Sequence, residues 1–314
     1  MFIFEHHIHN MEQFKNLTQL FDYFKDEQTC REYLEQQRWN GEPVCPFCNT
    51  KNPYRTNRGF KCRNKECYKK FTVTVGTIYE NSKVPLRTWF AAVYLCTSSK
   101  KGISSLQLHR QLGVTQKTAW FILHRIREML RAKAPHMLKD VVEIDETLVG
   151  GKNKNRHADK KVKGSQGRSA KDKTPVLGAV QRGGKLVAVA VPDTQAETLK
   201  PIIKKWVEDG SIMVTDEYRS YNELKRDYLH VTVNHSEEEY VRGAFHTNTI
   251  EGFWSLFKRG IFGIYHNVSP KHLQRYVTEF ESRYNSREKN DNERFELSVQ
   301  NSTGRLKYKQ LISK

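Results

Sequence analysis

No stretch of this chain approaches the roughly 20 consecutive apolar residues that a bilayer helix needs. The longest such run, about Trp89 to Cys96, is far shorter, so no membrane partner is expected. The first residues, MFIFEHHIHN, lack a basic stretch followed by an apolar segment and a small-residue cleavage site, and the reading is a cytoplasmic protein. Cysteine is scarce, 6 in 314 residues. In a reducing compartment those thiols are expected to serve as metal ligands or core residues rather than disulfides. Acid is in deficit: 35 Asp and Glu stand against 53 Lys and Arg, a formal charge of +18. Such a field draws in a polyanion, nucleic acid first. Neither a disordered tail nor a collagen-like chain fits, because 37% of the residues are hydrophobic and 11% aromatic, enough for a core. The length allows one sizeable domain with small appendages.

The charge is unevenly spread. Residues 1–40 carry 4 basic and 7 acidic side chains, which leaves 49 and 28 for the remainder. That segment, 1–40, reads as a helical lead-in, with Leu17, Leu20, Phe21 and Phe24 near one stripe. Met11 is an alternative start to Met1, and the His6, His7, His9 group lacks fixed spacing against other ligands and is read as inert.

Within 41–80, Cys45 and Cys48, then thirteen residues, then Cys62 and Cys67, place four thiolates at tetrahedral corners. That is the closed structural zinc site of a zinc ribbon. Cys30 and Cys96 are left over as small buried hydrophobes. Seven basic residues of the ribbon, Arg55, Arg58, Lys61, Arg63, Lys65, Lys69 and Lys70, favour DNA as what it touches.

From 84 to 134 the pattern is helical and ends as a helix-turn-helix. Leu106 and Leu112 are expected inward on the first helix, Gly113 makes the turn, and Thr115 caps the second. Ala119, Ile122, Leu123, Ile126 and Leu130 face inward on that second helix, and Gln116, Lys117 and Thr118 lie at its N-terminal end, where a recognition helix meets base edges.

After Pro135 the period changes from 3.6 to 2. Strands are expected at Val141–Val149, Pro175–Gln181, Leu186–Val191, Ile212–Thr215 and His230–Val233, with helices near Glu197–Glu208, Thr249–Ile261 and Pro270–Arg287. This predicts an α/β domain with a mixed sheet over 138–290, followed by a C-terminal tail, 291–314. Between the first two strands, residues 150–173 carry nine Lys and Arg against two Asp, a basic loop too polar to fold alone.

Three acids stand out. Asp145 follows Val142 and Ile144 and, by period 2, shares the opposite strand face with Glu143. Asp216 ends the run IMVTDEY, where ligands gather in α/β sheets. Glu251 lies one residue off the apolar stripe Ile250, Phe253, Phe257 and Ile261, with Lys258 two turns later on its face. Oxygen ligands favour Mg²⁺ or Mn²⁺ over zinc, and a pair of such ions activates a water and steadies the leaving oxygen of a phosphodiester. Glu143, Glu146 and Glu217 stand close by as alternative ligands.

The stretches RWNGEPVCPFC, VVEIDETLVGG, VTDEYRSY and HTNTIEGFWSLFKRGIFGIYHNVSPKHLQRYVTEFESRYNSR resemble bacterial insertion-sequence transposases of the DDE class. Within that class the chain is similar to the group that joins an N-terminal zinc ribbon to an XO-two-like transposase domain, the fifteen-ninety-five family, from about Met11 to Arg287. The resemblance implies a ribonuclease-H-like core with Asp145, Asp216 and Glu251 as catalytic and metal-binding residues. Lys258 and Arg259 fall in the DNA-binding stretch, and Asn248, one turn before Glu251, is possible support because some members carry asparagine as third residue. It further implies binding of double-stranded DNA at element ends and target, metal-dependent cleavage and strand transfer, and a homo-oligomer of at least two copies, associated with the nucleoid when bound. A catalytically silent domesticated transposase or a DNA-binding regulator is the alternative. Trp254, on the same helix, is read chiefly as a core residue, with base stacking as the other reading.

Overall fold

The computed structural model describes residues 14–132, 136–151, 157–163, 172–217, 220, 221, 224, 228–233 and 245–313. The histidine group at 6–9, both alternative starts, and residues 152–156 and 164–171 of the basic segment lie outside them. The chain divides into two units, one of Met1–Ser99, Ser105–Met129 and Lys289–Lys314, the other of Lys100–Ser104 and Leu130–Glu288.

Local chemistry sets the element boundaries of the first unit. Asn16 caps α1 (Leu17–Tyr23) by accepting from the Gln19 amide. Asp26 does the same for α2 (Glu27–Trp39) through the Thr29 amide, and Asn40 ends that helix in the left-handed region. The ribbon follows as β1 (Tyr54–Thr56), β2 (Gly59–Lys61) and β3 (Lys70–Phe71), an antiparallel sheet in that order. Gly59 is required at its turn: its φ is +130, and a Cβ there would lie 2.5 Å from the Phe71 carbonyl oxygen. Phe60 and Phe71 stack beneath the cysteines.

Helices α3 (Leu86–Ser98), α4 (Ser105–Leu112) and α5 (Gln116–Met129) complete the helical part. Thr115 caps α5 through the Thr118 amide, and Ala119, Ile122, Leu123 and Ile126 are buried, as the stripe requires. Two inward assignments need correction. Leu106 is 48% exposed, and Leu108 is the residue that α4 buries; on an eight-residue helix a shift of two positions still leaves an apolar residue facing the core. On α5, Met129 rather than Leu130 closes the stripe. The segment after 290 forms α9 (Asp291–Gln300), opened by an Asn290–Glu293 capping box, and α10 (Tyr308–Ile312). Phe295 of α9 is fully buried among Phe14, Phe24, Tyr33 and Phe90. Buried Arg125 of α5 donates to the carbonyls of Ile78, Glu80 and Leu306.

The second unit is built on a five-stranded sheet ordered β6-β5-β4-β7-β8: β4 (Val141–Val149), β5 (Thr174–Gln181), β6 (Leu186–Ala190), β7 (Ile212–Thr215) and β8 (Leu229–Thr232). β5 runs antiparallel to both β4 and β6, whereas β7 and β8 continue parallel to β4. This mixed order, with helices on both faces, is the ribonuclease-H-like core. Alternation on β4 divides the cores. Val142 and Ile144 pack with Leu199, Ile203 and Trp206 of α6 (Ala196–Trp206). Val149 on the other face joins Ile250, Phe253, Trp254 and Phe257 of α7 (Asn248–Gly260) and Leu273, Val277 and Phe280 of α8 (Pro270–Asn285). Each fully buried side chain of that size contributes about 1.5–3 kcal/mol over exposure, so this face fixes α7 firmly on the sheet.

Candidate functional site

The four cysteines form the one cluster among the described residues in which three or more ligand atoms all lie within 4.8 Å of one another. Cys45 Sγ is 3.8 Å from Cys67 Sγ, and Cys48 Sγ is 3.4 Å from Cys62 Sγ. A tetrahedral zinc with bonds of about 2.3 Å needs sulfurs about 3.8 Å apart, so the donor set and its spacing fit that ion. Hydrogen bonds from the Thr50 hydroxyl and amide pull the Cys48 thiol down to about 6, whereas burial pushes Cys45 up to about 12. Cys30 and Cys96 are fully buried outside the cluster.

Around the ribbon, cations lie over rings: Lys61 over Tyr68, Arg63 over Tyr54 and Lys69 over Phe47, the three rings each about half exposed. At the start of α5, Gln116 and Lys117 are exposed and Thr118 half-buried. The Gln116 amide nitrogen donates to the Ser105 hydroxyl at 2.9 Å, bracing the two helices of the turn.

In the second unit the three acids come from the middle of one strand, the end of its parallel neighbour and the start of a helix, and their oxygens do not form a cluster within 4.8 Å of one another. Asp145 lies on β4 directly opposite Gly178 of β5. Asp216 is the first residue beyond β7, the strand parallel to β4. Glu251 is in the first turn of α7, exposed, and accepts a 2.7 Å hydrogen bond from the Thr247 hydroxyl. Burial, and then the negative charges of Glu146, Asp216 and Glu251, push the Asp145 carboxyl up to about 8. The three acids therefore share one electrostatic neighbourhood, and like charges there repel. An all-oxygen set with this excess of negative charge fits a hard divalent cation. Lys258 and Arg259 are exposed on α7, and Asn248 is its first residue, also exposed.

The neighbouring acids separate by what they bind. Glu146 points to the α6 face and accepts from the Tyr221 hydroxyl at 2.5 Å. Glu217 is exposed. Glu143 is fully buried and holds Arg182 together with the first turn of α7. Sequence reasoning placed Glu143 on the Asp145 face but gave it no partner; its one signal was an acid at an inward strand position, which demands donors. Trp254 is 4% exposed and packs in the core, which removes the base-stacking reading.

The profile of the ISXO2-like transposase domain matches residues 137–285, and that of the transposase zinc-ribbon domain matches residues 25–70. An uncharacterized protein in transposable element ISH50 of Halobacterium salinarum is 31% identical over 274 residues, 83% of this chain and 91% of the relative. An uncharacterized transposase-like protein of Haemophilus influenzae is 34% identical over 105 residues, 33% of this chain and 84% of that one. Among solved structures, a pre-cleavage Mos1 transpososome covers 73% of this chain and 82% of its own at 15% identity and a TM-score of 0.22. With a zinc-ribbon match, a transposase-domain match and a relative aligned over nearly its whole length, the chain belongs to the family of ISXO2-like transposases.

Proposed function

We propose that this transposase binds the terminal inverted repeats of an insertion sequence, cuts there by metal-assisted hydrolysis and joins the freed 3′-hydroxyl to target DNA. The observation that carries the reading is the shared field of Asp145, Asp216 and Glu251, from a strand, the end of its parallel neighbour and the helix across the sheet. Mg²⁺ or Mn²⁺ held by these three carboxylates supplies Lewis acidity and a nucleophilic water. Asp145, raised by burial and by its carboxylate neighbours, would hold such a cation together with Asp216 and Glu251. Thr247 orients the Glu251 carboxylate. Lys258 and Arg259 offer positive charge to the phosphates beside the cut, and Asn248 supports the site from one turn away. The strand chemistry balances with water as the only further reactant: water adds to phosphorus as the P–O3′ bond breaks, and the liberated 3′-hydroxyl then attacks a target phosphodiester, displacing its 3′-oxygen.

In this reading the ribbon holds structural zinc. Its cation-and-ring surface and the exposed start of α5, Gln116, Lys117 and Thr118, bind duplex DNA, with affinity that falls steeply with salt. Two ends must be cut and joined together, so the working assembly has at least two copies. No helix among the described residues is long and apolar enough to cross a membrane.

The test is incubation of purified protein with a plasmid carrying its native flanking DNA, in Mg²⁺ or Mn²⁺, wild type beside Asp216→Ala. Metal-dependent cuts at the ends, absent in the variant while end binding persists, are the expected result. An Asp216→Ala protein that cuts at the wild-type rate sinks the residue assignment, and binding without any cutting by wild type moves the protein to a DNA-binding regulator.

A further inference from the structure

We infer that Glu143 is a positioning residue that sets the separation of Asp145 and Glu251, an inference that rests on the catalytic reading above. The argument starts from α7, whose N-cap residue, Thr247, makes no capping bond with its side chain. The cap comes instead from the sheet. Glu143 Oε2 accepts from the amides of Thr249 at 2.9 Å and Ile250 at 3.1 Å, and Oε1 accepts from the Thr249 hydroxyl at 2.8 Å. These are first-turn amides, where a carboxylate is favoured both as acceptor and by the helix dipole.

The opposite side of the carboxylate is held as firmly. Arg182, the residue after β5, donates to Oε1 from Nε at 3.2 Å and Nη2 at 3.1 Å, and donates also to the His246 carbonyl at 3.2 Å. His246 Nδ1 lies 3.4 Å from Oε1. With the side chain fully buried, water does not compete for these bonds. Both oxygens are taken up by protein donors, which leaves this acid a clamp rather than a cation ligand.

The placement gives the clamp its consequence. Asp145 stands two residues from Glu143 on the same face of β4, about 6–7 Å along the strand, and Glu251 follows Ile250 directly in α7. One strand thus carries an acid of the site and the anchor of the helix that brings another. The Glu143 contacts fix where the first turn of α7 rests, and with it the reach of Glu251 toward Asp145.

Glu143→Gln, which keeps the shape but offers a single acceptor oxygen and loses the ion pair, is the direct test, on full-length, zinc-loaded protein. The Mn²⁺ concentration giving half-maximal cleavage should rise about tenfold or more, while the rate at saturating Mn²⁺ stays within about threefold of wild type, since only placement is disturbed. Without Mn²⁺, the amides of Thr249 and Ile250 should exchange hydrogen at least about tenfold faster. A purely structural loss lowers the active fraction without moving the metal midpoint. Arg182→Gln separates clamp from ligand: a clamp predicts a raised midpoint and faster exchange, whereas a Glu143 that binds metal itself would be released by this change, lowering the midpoint and leaving exchange unaltered. Either that pattern or a Glu143→Gln protein with wild-type midpoint and exchange overturns the inference. Should Glu143→Gln not fold, Arg182→Gln and Thr249→Val, each removing only part of the donor set, carry the test. Should the wild type show no metal-dependent cleavage, the catalytic reading falls, and the exchange rates alone decide the clamp.

Discussion

Gly178 sits where the sheet, the site and α7 meet, and a single methyl group there tests the packing argument. It pairs with Asp145 across β4 and β5, and the indole of Trp254 lies on its open face. A Cβ added at Gly178 would be 2.6 Å from Trp254 Cζ2, 2.8 Å from Cη2 and 3.1 Å from Ile250 Cδ1. Carbon atoms prefer about 3.5–4.0 Å, so the ring, and the helix that bears it, must retreat by about 1 Å. Overpacking of this kind costs about 1–3 kcal/mol, which for a unit of this size is about 2–12 °C in melting temperature. The same retreat moves the first turn of α7, and displacement of a reacting group by about 1 Å lowers rates up to about 100-fold. Trp254→Phe deletes the clashing part of the indole. Alone it leaves a cavity and costs stability, but combined with Gly178→Ala the two losses should fail to add, with a coupling of about 1–2 kcal/mol. Thermal unfolding of the four proteins of this cycle, with plasmid cleavage alongside, measures both effects. A Gly178→Ala protein that melts within about 1 °C of wild type, or a cycle whose losses simply sum, refutes the close approach of α7 to the sheet.

Two further outcomes follow from the titrating groups. In the folded chain the Asp145 carboxyl stands at about 8, against 3.8 ordinarily. The native state therefore holds a proton that the unfolded chain releases between those values, and the resulting loss of stability grows as pH rises through that window. In magnesium-free buffer the melting temperature should fall between about pH 4 and pH 8, and Asp145→Asn should flatten the fall; a slope unchanged by the substitution contradicts the carboxylate crowding. The ribbon should carry about one zinc per chain, and its removal by a strong chelator should collapse β1–β3. Zinc release monitored with circular dichroism checks this, and a ribbon spectrum that survives complete metal loss counts against a structural ion.

Much of the second unit was readable because its strands are short, β-branched and bounded by turns. Val141–Val149 and Ile212–Thr215 match the expected bounds, and β5, β6 and β8 differ by a residue at one or both ends. The cysteine spacing was readable for a different reason, since four ligands at fixed intervals carry their own geometry. The partners of Glu143 were hidden: Thr249 is 106 positions away, and no local pattern ties the two. The register of α4 was hidden too, because Leu106 and Leu108 are equally apolar and only the packing selects Leu108. Polar composition concealed α9, whose one large anchor, Phe295, acquires meaning only beside four distant rings.

That last helix has a consequence for synthesis on the ribosome. The unit that carries the zinc ribbon and the helix-turn-helix is closed by Phe295 and by backbone bonds from the Ile78 amide to the Ser302 carbonyl and from the Gly304 amide to the Gly76 carbonyl. The whole of the other unit is translated before these residues emerge. Nascent chains that stop short of Phe295 thus carry the aromatic cluster open to solvent, and the unit proposed to hold DNA matures only after residues 289–304 have emerged. Emergence of Phe295, rather than appearance of the ribbon, marks the moment at which the first unit can close.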